Sequence, residues 1–243
     1  MPAPKASGSG TQRFRSLAFA NPEQSTGRPA GSVVLLTGFG PFPGVERNAS
    51  SELAMQLARL AARRHCDFQF AAEVLPVDWG QAPLQVADLL RRYQPEVALH
   101  FGVSVRARGF VIETHAYNET KDAPDDNGQT AQSMHLVLGD RPRRSATLPV
   151  KKIVQTLHRA GFPAELSSDP GRYLCNAVLF HSLRHAGRTQ PKTRTGFIHV
   201  PAALAPGNSG ETSLITWNEA VEGGLRLIEA CVPSLRPGDR TLS

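Results

Sequence analysis

The chain has 243 residues, 40% hydrophobic and 20% charged, which fits one large folded domain or two small ones and excludes a disordered polyelectrolyte. No run approaches the roughly 20 consecutive apolar residues of a membrane span. The net charge of +6 lies partly in the tails, where Lys5, Arg13, Arg15 and Arg28 face only Glu23 in residues 1–32, and no Lys/Arg stripe with interleaved aromatics marks a nucleic-acid surface.

Residues 1–32 are rich in Pro, Gly, Ser and Ala and lack a secretory apolar core, so they read as a disordered leader. Ser32 to Thr37 is a β-branched apolar run stopped by Gly38, as a buried strand would be. Asn48 is a fitting N-cap for a helix through Arg64, whose Leu53, Leu57, Leu60 and Ala61 share one face. Phe70 to Val77 predicts a second strand and Ala82 to Tyr93 an amphipathic helix ended by Pro95. Glu96 to Phe101 predicts a third strand closed by Gly102, and Phe110 to Tyr117 a fourth. The polar stretch from Asn118 to Thr147 is long for a loop and reads as a lid or mobile segment.

The rhythm then repeats. Pro149 opens a helix to Ala160, Ala164 to Ser168 is a short strand and Cys175 to His185 a helix. Gly196 to Val200 is a strand, and Ser213 to Cys231 a final helix. From Pro233 the chain reads as a flexible tail. Alternating strands and helices over residues 33–232 predict an α/β domain: a three-layer α/β/α sandwich with a mostly parallel sheet.

The residues with chemical potential concentrate in the second half. Cys66, Cys175 and Cys231 stand far apart with no C-x-x-C pair, which favours reduced thiols in a cytoplasm over a disulfide framework. Cys175 stands where a loop turns into a helix, and there unpaired amides and the dipole favour a thiolate and could hold an oxyanion. A buried structural cysteine is the commoner fate, and Cys66 and Cys231 fit it better. His199, at the C-terminal end of a predicted strand, is where open parallel sheets place ligand-binding groups, so it is the candidate base. Glu113 interrupts the apolar run Phe110-Val111-Ile112 and needs a partner if buried, which suits a carboxylate orienting an imidazole. His100 and His115 remain open alternatives by position. His181 and His185 have metal-chelating spacing but no third ligand, and read as a solvated helix face. Phe39 and Phe42 sit on a Gly/Pro loop without a phosphate-binding pattern, suited to a small, flat, neutral ligand.

The segment Val34 to Ser50 (VLLTGFGPFPGVERNAS) resembles the opening signature of the pyrrolidone-carboxyl peptidases, the pyroglutamyl peptidase I family. The resemblance runs from Val33 to about Cys231 and includes Glu113-Thr114-His115-Ala116-Tyr117-Asn118, Tyr173-Leu174-Cys175-Asn176 and Gly196-Phe197-Ile198-His199-Val200-Pro201. It implies removal of an N-terminal pyroglutamyl residue from peptides by Cys175, His199 and Glu113. Phe39 and Phe42 would lie around the lactam. It further implies no cofactor or metal, and a homo-oligomer, often a tetramer. The chain departs from the pattern at Phe42-Pro43-Gly44, at Asn48-Ala49-Ser50 and at Ala202. It departs again at Ala123, near where the family has an arginine beside the oxyanion, with Lys121 two residues away. These departures motivate a rival reading, a catalytically weakened or repurposed protein that binds a small lactam or peptide.

Overall fold

The computed structural model describes residues 17–19 (backbone only), 32–42, 45–190, 192–205 and 212–232. Apart from Leu17–Phe19 and Ser32, the expected leader lies outside the described residues, as does the expected tail from Pro233.

A seven-stranded sheet forms the middle layer, in the order β1 (Leu17–Phe19), β3 (Phe68–Leu75), β2 (Ser32–Phe39), β4 (Val97–Ser104), β9 (Arg194–Pro201), β5 (Phe110–Glu113) and β8 (Ala164–Ser167). The pairs β2–β3, β2–β4, β4–β9 and β5–β8 are parallel. The edge strand β1 and the β5–β9 pair are antiparallel. Two short strands, β6 (His115–Tyr117) and β7 (Arg143–Ser145), form a separate ribbon.

Helices α1 (Ala49–Arg64), α3 (Val150–Arg159) and α5 (Trp217–Cys231) cover one face of the sheet. Helices α2 (Gln81–Tyr93) and α4 (Leu174–Thr189) cover the other. This is the expected α/β/α sandwich. The alternation of side chains along each central strand feeds both layers: Ile198 and Val200 join the first apolar cluster, and Phe197 joins the second. Full burial of each such side chain contributes about 1.5–3 kcal/mol.

The β2–α1 connection shows how the sequence locks a corner. Asn48 caps α1 by accepting from the Ser50 amide at 3.1 Å, and its Nδ2 donates to the Gly40 carbonyl at 3.0 Å. Ser50 Oγ in turn accepts from the Phe39 amide at 3.0 Å. A Cβ at Gly38 would come within 2.3 Å of the Ser50 carbonyl, so only glycine lets α1 start this close to β2.

Several expected boundaries shift. Strand β4 runs through Gly102 to Ser104 instead of stopping at the glycine. The expected strand over Phe110–Tyr117 splits at Thr114, whose Oγ1 and amide both bond to the Ser167 carbonyl, and the two halves join different sheets. Helix α5 starts at Trp217, not Ser213, because Thr216 and Glu219 form a reciprocal capping box. The stretch from Asn118 to Thr147 is tied down: Asp140 bonds Arg144 at 2.7 Å and Arg184 of α4 at 2.8 Å, and Arg144 lies over the Phe180 ring. That cover also corrects the solvated face expected at His181 and His185. Both are partly buried, and His185 Nε2 is enclosed with no hydrogen-bond partner among the described residues. Among the three cysteines, Cys231 is buried as expected for a structural thiol, whereas Cys66 is exposed.

Candidate active site

Cys175 is the second residue of α4, a 16-residue helix whose N-cap, Tyr173, offers no side-chain cap. The first-turn amides therefore stay available beside the thiol. The preceding loop is held rigidly. Arg172 pairs with both Asp169 and Glu119 and stacks over the Tyr117 ring at 4.0 Å from its centroid. One residue past the thiol, the fully buried Asn176 accepts from the Tyr117 amide at 2.7 Å and donates to the carbonyls of Tyr117 and Glu119. The start of α4 is thus pinned to β6 on both sides of Cys175.

His199 arrives from β9 and Glu113 from β5, neighbouring antiparallel strands that present both on the face toward α4. Their side chains meet at 2.8 Å, Nδ1 to Oε1, and both are buried. Glu113 Oε2 has no hydrogen-bond partner among the described residues. The imidazole also hydrogen-bonds the Cys175 side chain. Burial alone would lower the His199 pKa, but the negative charge on Cys175, the hydrogen bond to it and the Glu113 carboxylate outweigh this and push it up to about 10. An imidazole so placed, with the Glu113 carboxylate on one side and the Cys175 side chain on the other, is held in its protonated form.

Gly102 makes the approach possible. It is the register partner of His199, and a Cβ there would stand 2.7 Å from the Phe197 ring and 3.1 Å from Cys175 Sγ. The sequence presents this glycine as a strand stop. Its role as the gap that admits the thiol shows only when α4 is laid across β4. Trp79 carries no mark of a site in the sequence, and Tyr173 enters it only as part of the Tyr173-Leu174-Cys175-Asn176 motif. Their rings meet edge-on at 5.2 Å, Trp79 Nε1 donates to the Ala123 carbonyl at 2.9 Å, and Tyr173 Oη donates to the Pro124 carbonyl at 2.8 Å. They staple the loop of residues 121–125 beside Cys175. An aromatic flanked by loop residues gives no signal of that before the chain is folded.

A cavity of about 830 Å³ opens at Cys175, His199 and Glu113. Lys121 contributes to its lining, with Nζ 5.0 Å from the Tyr173 ring centroid, whereas Ala123 does not. Phe39 and Phe42 are not part of that lining. Phe39 is buried with its ring centroid 6.5 Å from that of Phe197, and Phe42 packs partly buried against the same apolar cluster as Cys175. The open alternatives fall elsewhere. His100 sits deep in the sheet bonded to Thr37 and Ser182, and His115 bonds Thr114 on β6. No group of three or more His, Cys, Asp or Glu side chains suited to a metal occurs among the described residues.

A family model described as pyroglutamyl peptidase matches residues 32–222. The chain is 36% identical over 170 residues to the pyrrolidone-carboxylate peptidase of Pyrococcus furiosus, covering 69% of this chain and 80% of that protein. It is 37% identical over 169 residues to that of Gloeobacter violaceus, with the same two coverages of 69% and 80%. Among solved structures, a mutant pyrrolidone carboxyl peptidase from Pyrococcus furiosus superposes with a TM-score of 0.72 at 31% identity, over 82% of this chain and 97% of that one. Pyroglutamyl peptidase I of Bacillus amyloliquefaciens, at 23% identity and a TM-score of 0.73 over 82% and 96% of the two chains, shares the fold.

Proposed function

Because the chain belongs to the pyroglutamyl peptidase family, we propose that it removes an N-terminal pyroglutamyl residue from peptides and amides, with Cys175 as nucleophile, His199 as base and Glu113 as the carboxylate that orients it. The observation that carries this reading is the short hydrogen bond that His199 Nδ1 donates to Glu113, which turns the rest of the imidazole toward the thiol at the start of α4. In the first step Cys175 Sγ attacks the pyroglutamyl carbonyl carbon, and the oxygen takes the negative charge beside the first-turn amides of α4. Collapse breaks the C–N bond as His199 gives its proton to the leaving amine. A thioester remains. Water then attacks it as His199 takes a proton, and pyroglutamate leaves with the thiolate and imidazolium restored.

Phe39 and Phe42, in the same apolar cluster as Cys175, are our choice for the walls that favour the neutral lactam. A free amino terminus would bring a charge to those walls at a desolvation cost, so unblocked glutaminyl or glutamyl peptides should be rejected. We place the enzyme in the cytoplasm on its free cysteines, and read its working form as a homo-oligomer, a tetramer by family resemblance. The departures that motivate a repurposed binding protein leave Cys175, His199 and Glu113 together, so that reading is not favoured. The test is hydrolysis of a chromogenic pyroglutamyl amide by the wild type and by Cys175→Ala. Turnover by the wild type and none by the variant is expected. Equal turnover by both, or none by either, would contradict the proposal.

A further inference from the structure

Cavity size and sheet register together bear on the residue that leaves when the amide bond is cut. His199 must hand its proton to the leaving nitrogen, so the leaving residue lies on the His199 side of the thiol. There the register is explicit: Val111 of β5 is the direct antiparallel partner of His199, with both side chains on the same face. Helix α4 packs over β9 and β4, and the face of β5 and β8 beyond it is largely open. The cavity of about 830 Å³ spreads over this strip, and pockets of about 300–1,000 Å³ hold whole drug-sized ligands, so the space exceeds what one five-membered ring needs.

We propose that this strip, floored by Val111 and rimmed by Val105, receives the side chain of the residue after pyroglutamyl and selects an apolar one. The inference rests on the activity proposed above. Val111 is partly exposed and Val105 is 56% exposed, and both line this one cavity, an apolar patch that a bound apolar side chain would cover. Charge of both signs stands on the same lining: Arg106 and Lys121 on one side and Glu165 on the other, with Arg172 already held by Asp169 and Glu119. A charged side chain laid on Val111 would lose water against an apolar floor.

The experiment compares kcat/KM on pyroglutamyl-leucine amide, pyroglutamyl-glycine amide and pyroglutamyl-aspartate amide. Leucine should exceed glycine by about tenfold and aspartate should fall below glycine. In Val111→Thr, and separately in the exposed-site variant Val105→Ser, the leucine-to-glycine ratio should shrink to about two- to threefold. The ratio cancels any general loss of folded enzyme, and Val105→Ser preserves the test if Val111→Thr folds poorly. A flat series in the wild type, or a ratio unchanged in both variants, would overturn the subsite while leaving the activity standing. Cleavage of none of the three amides would instead overturn the activity itself, and the subsite with it.

Discussion

His100 and His199 lie on the adjacent strands β4 and β9, face the same helix and are both buried, yet their imidazoles are driven in opposite directions. His100 is surrounded by hydroxyls, with Thr37 Oγ1 and Ser182 Oγ each at 2.8 Å and Thr195 Oγ1 at 3.3 Å. Nothing charged compensates its burial, and its pKa falls to about 3. His199 has a carboxylate on one side and the cysteine sulfur on the other, and its pKa rises to about 10. Burial is common to both, so partner charge decides which histidine stays neutral and which holds a proton.

The largest effects break the charged arrangement. His199→Ala should lower kcat/KM on a pyroglutamyl amide by on the order of 1,000-fold or more, with an unchanged circular dichroism spectrum. Glu113→Gln keeps the shape but removes the charge that supports the imidazolium, and about a 100-fold loss in kcat is expected. A fully active Glu113→Gln would show that shape alone orients the ring.

The uncharged site breaks differently, and the sign comes from linkage. His100 is lowered in the fold, so between pH 6.5 and about 3 the unfolded chain binds a proton that the folded chain refuses. Stability therefore rises with pH across that window and falls on acidification, by about 2–3 kcal/mol from pH 7 to pH 4.5 on this group alone. In His100→Gln this slope should flatten in urea titrations. Stability at pH 7 should drop by about 1–3 kcal/mol as hydroxyls lose their partner. An identical pH slope in wild type and variant would place the acid sensitivity elsewhere.

The smallest effect reverses the comparison with a carboxylate. Asp140 is lowered to about 2, first by its hydrogen bond from Arg144, with Arg184 adding to it. Its contribution is present above about pH 3.8 and is lost as pH falls toward 2. Because the side chain is 15% exposed, about 1–2 kcal/mol is expected. Asp140→Asn should cost that amount at pH 7 and loosen residues 118–147 from α4, seen as faster amide exchange in that segment.

The layered fold was readable, and Cys175, His199 and Glu113 could be nominated, because each rests on a local pattern: period-two and period-3.6 runs, a cysteine at a helix start, a lone carboxylate in an apolar strand. What was not readable depends on contacts between distant segments. Gly102 looks like a strand end until Phe197 and Cys175 are brought against it. The break at Thr114 comes from the Ser167 carbonyl on another strand. The three residues of β1 are too few for any periodicity, and β1 exists through its pairing with β3. Phe39, placed by the sequence on a Gly/Pro loop, is the last residue of β2, with its ring 6.5 Å from that of Phe197. The start of α5 is the exception, since the Thr216–Glu219 spacing is a local capping signal that places the helix start at Trp217.

Whether partner charge is the deciding factor can be read from the protonation of His199, followed by NMR of 15N-labelled histidine side chains in the wild type and in Cys175→Ala. The wild-type ring should keep its proton far above pH 6.5 and release it near 10, and removing the sulfur should move the midpoint down by several pH units while His100 stays neutral in both. A wild-type midpoint at or below 6.5, unmoved by the substitution, would contradict it.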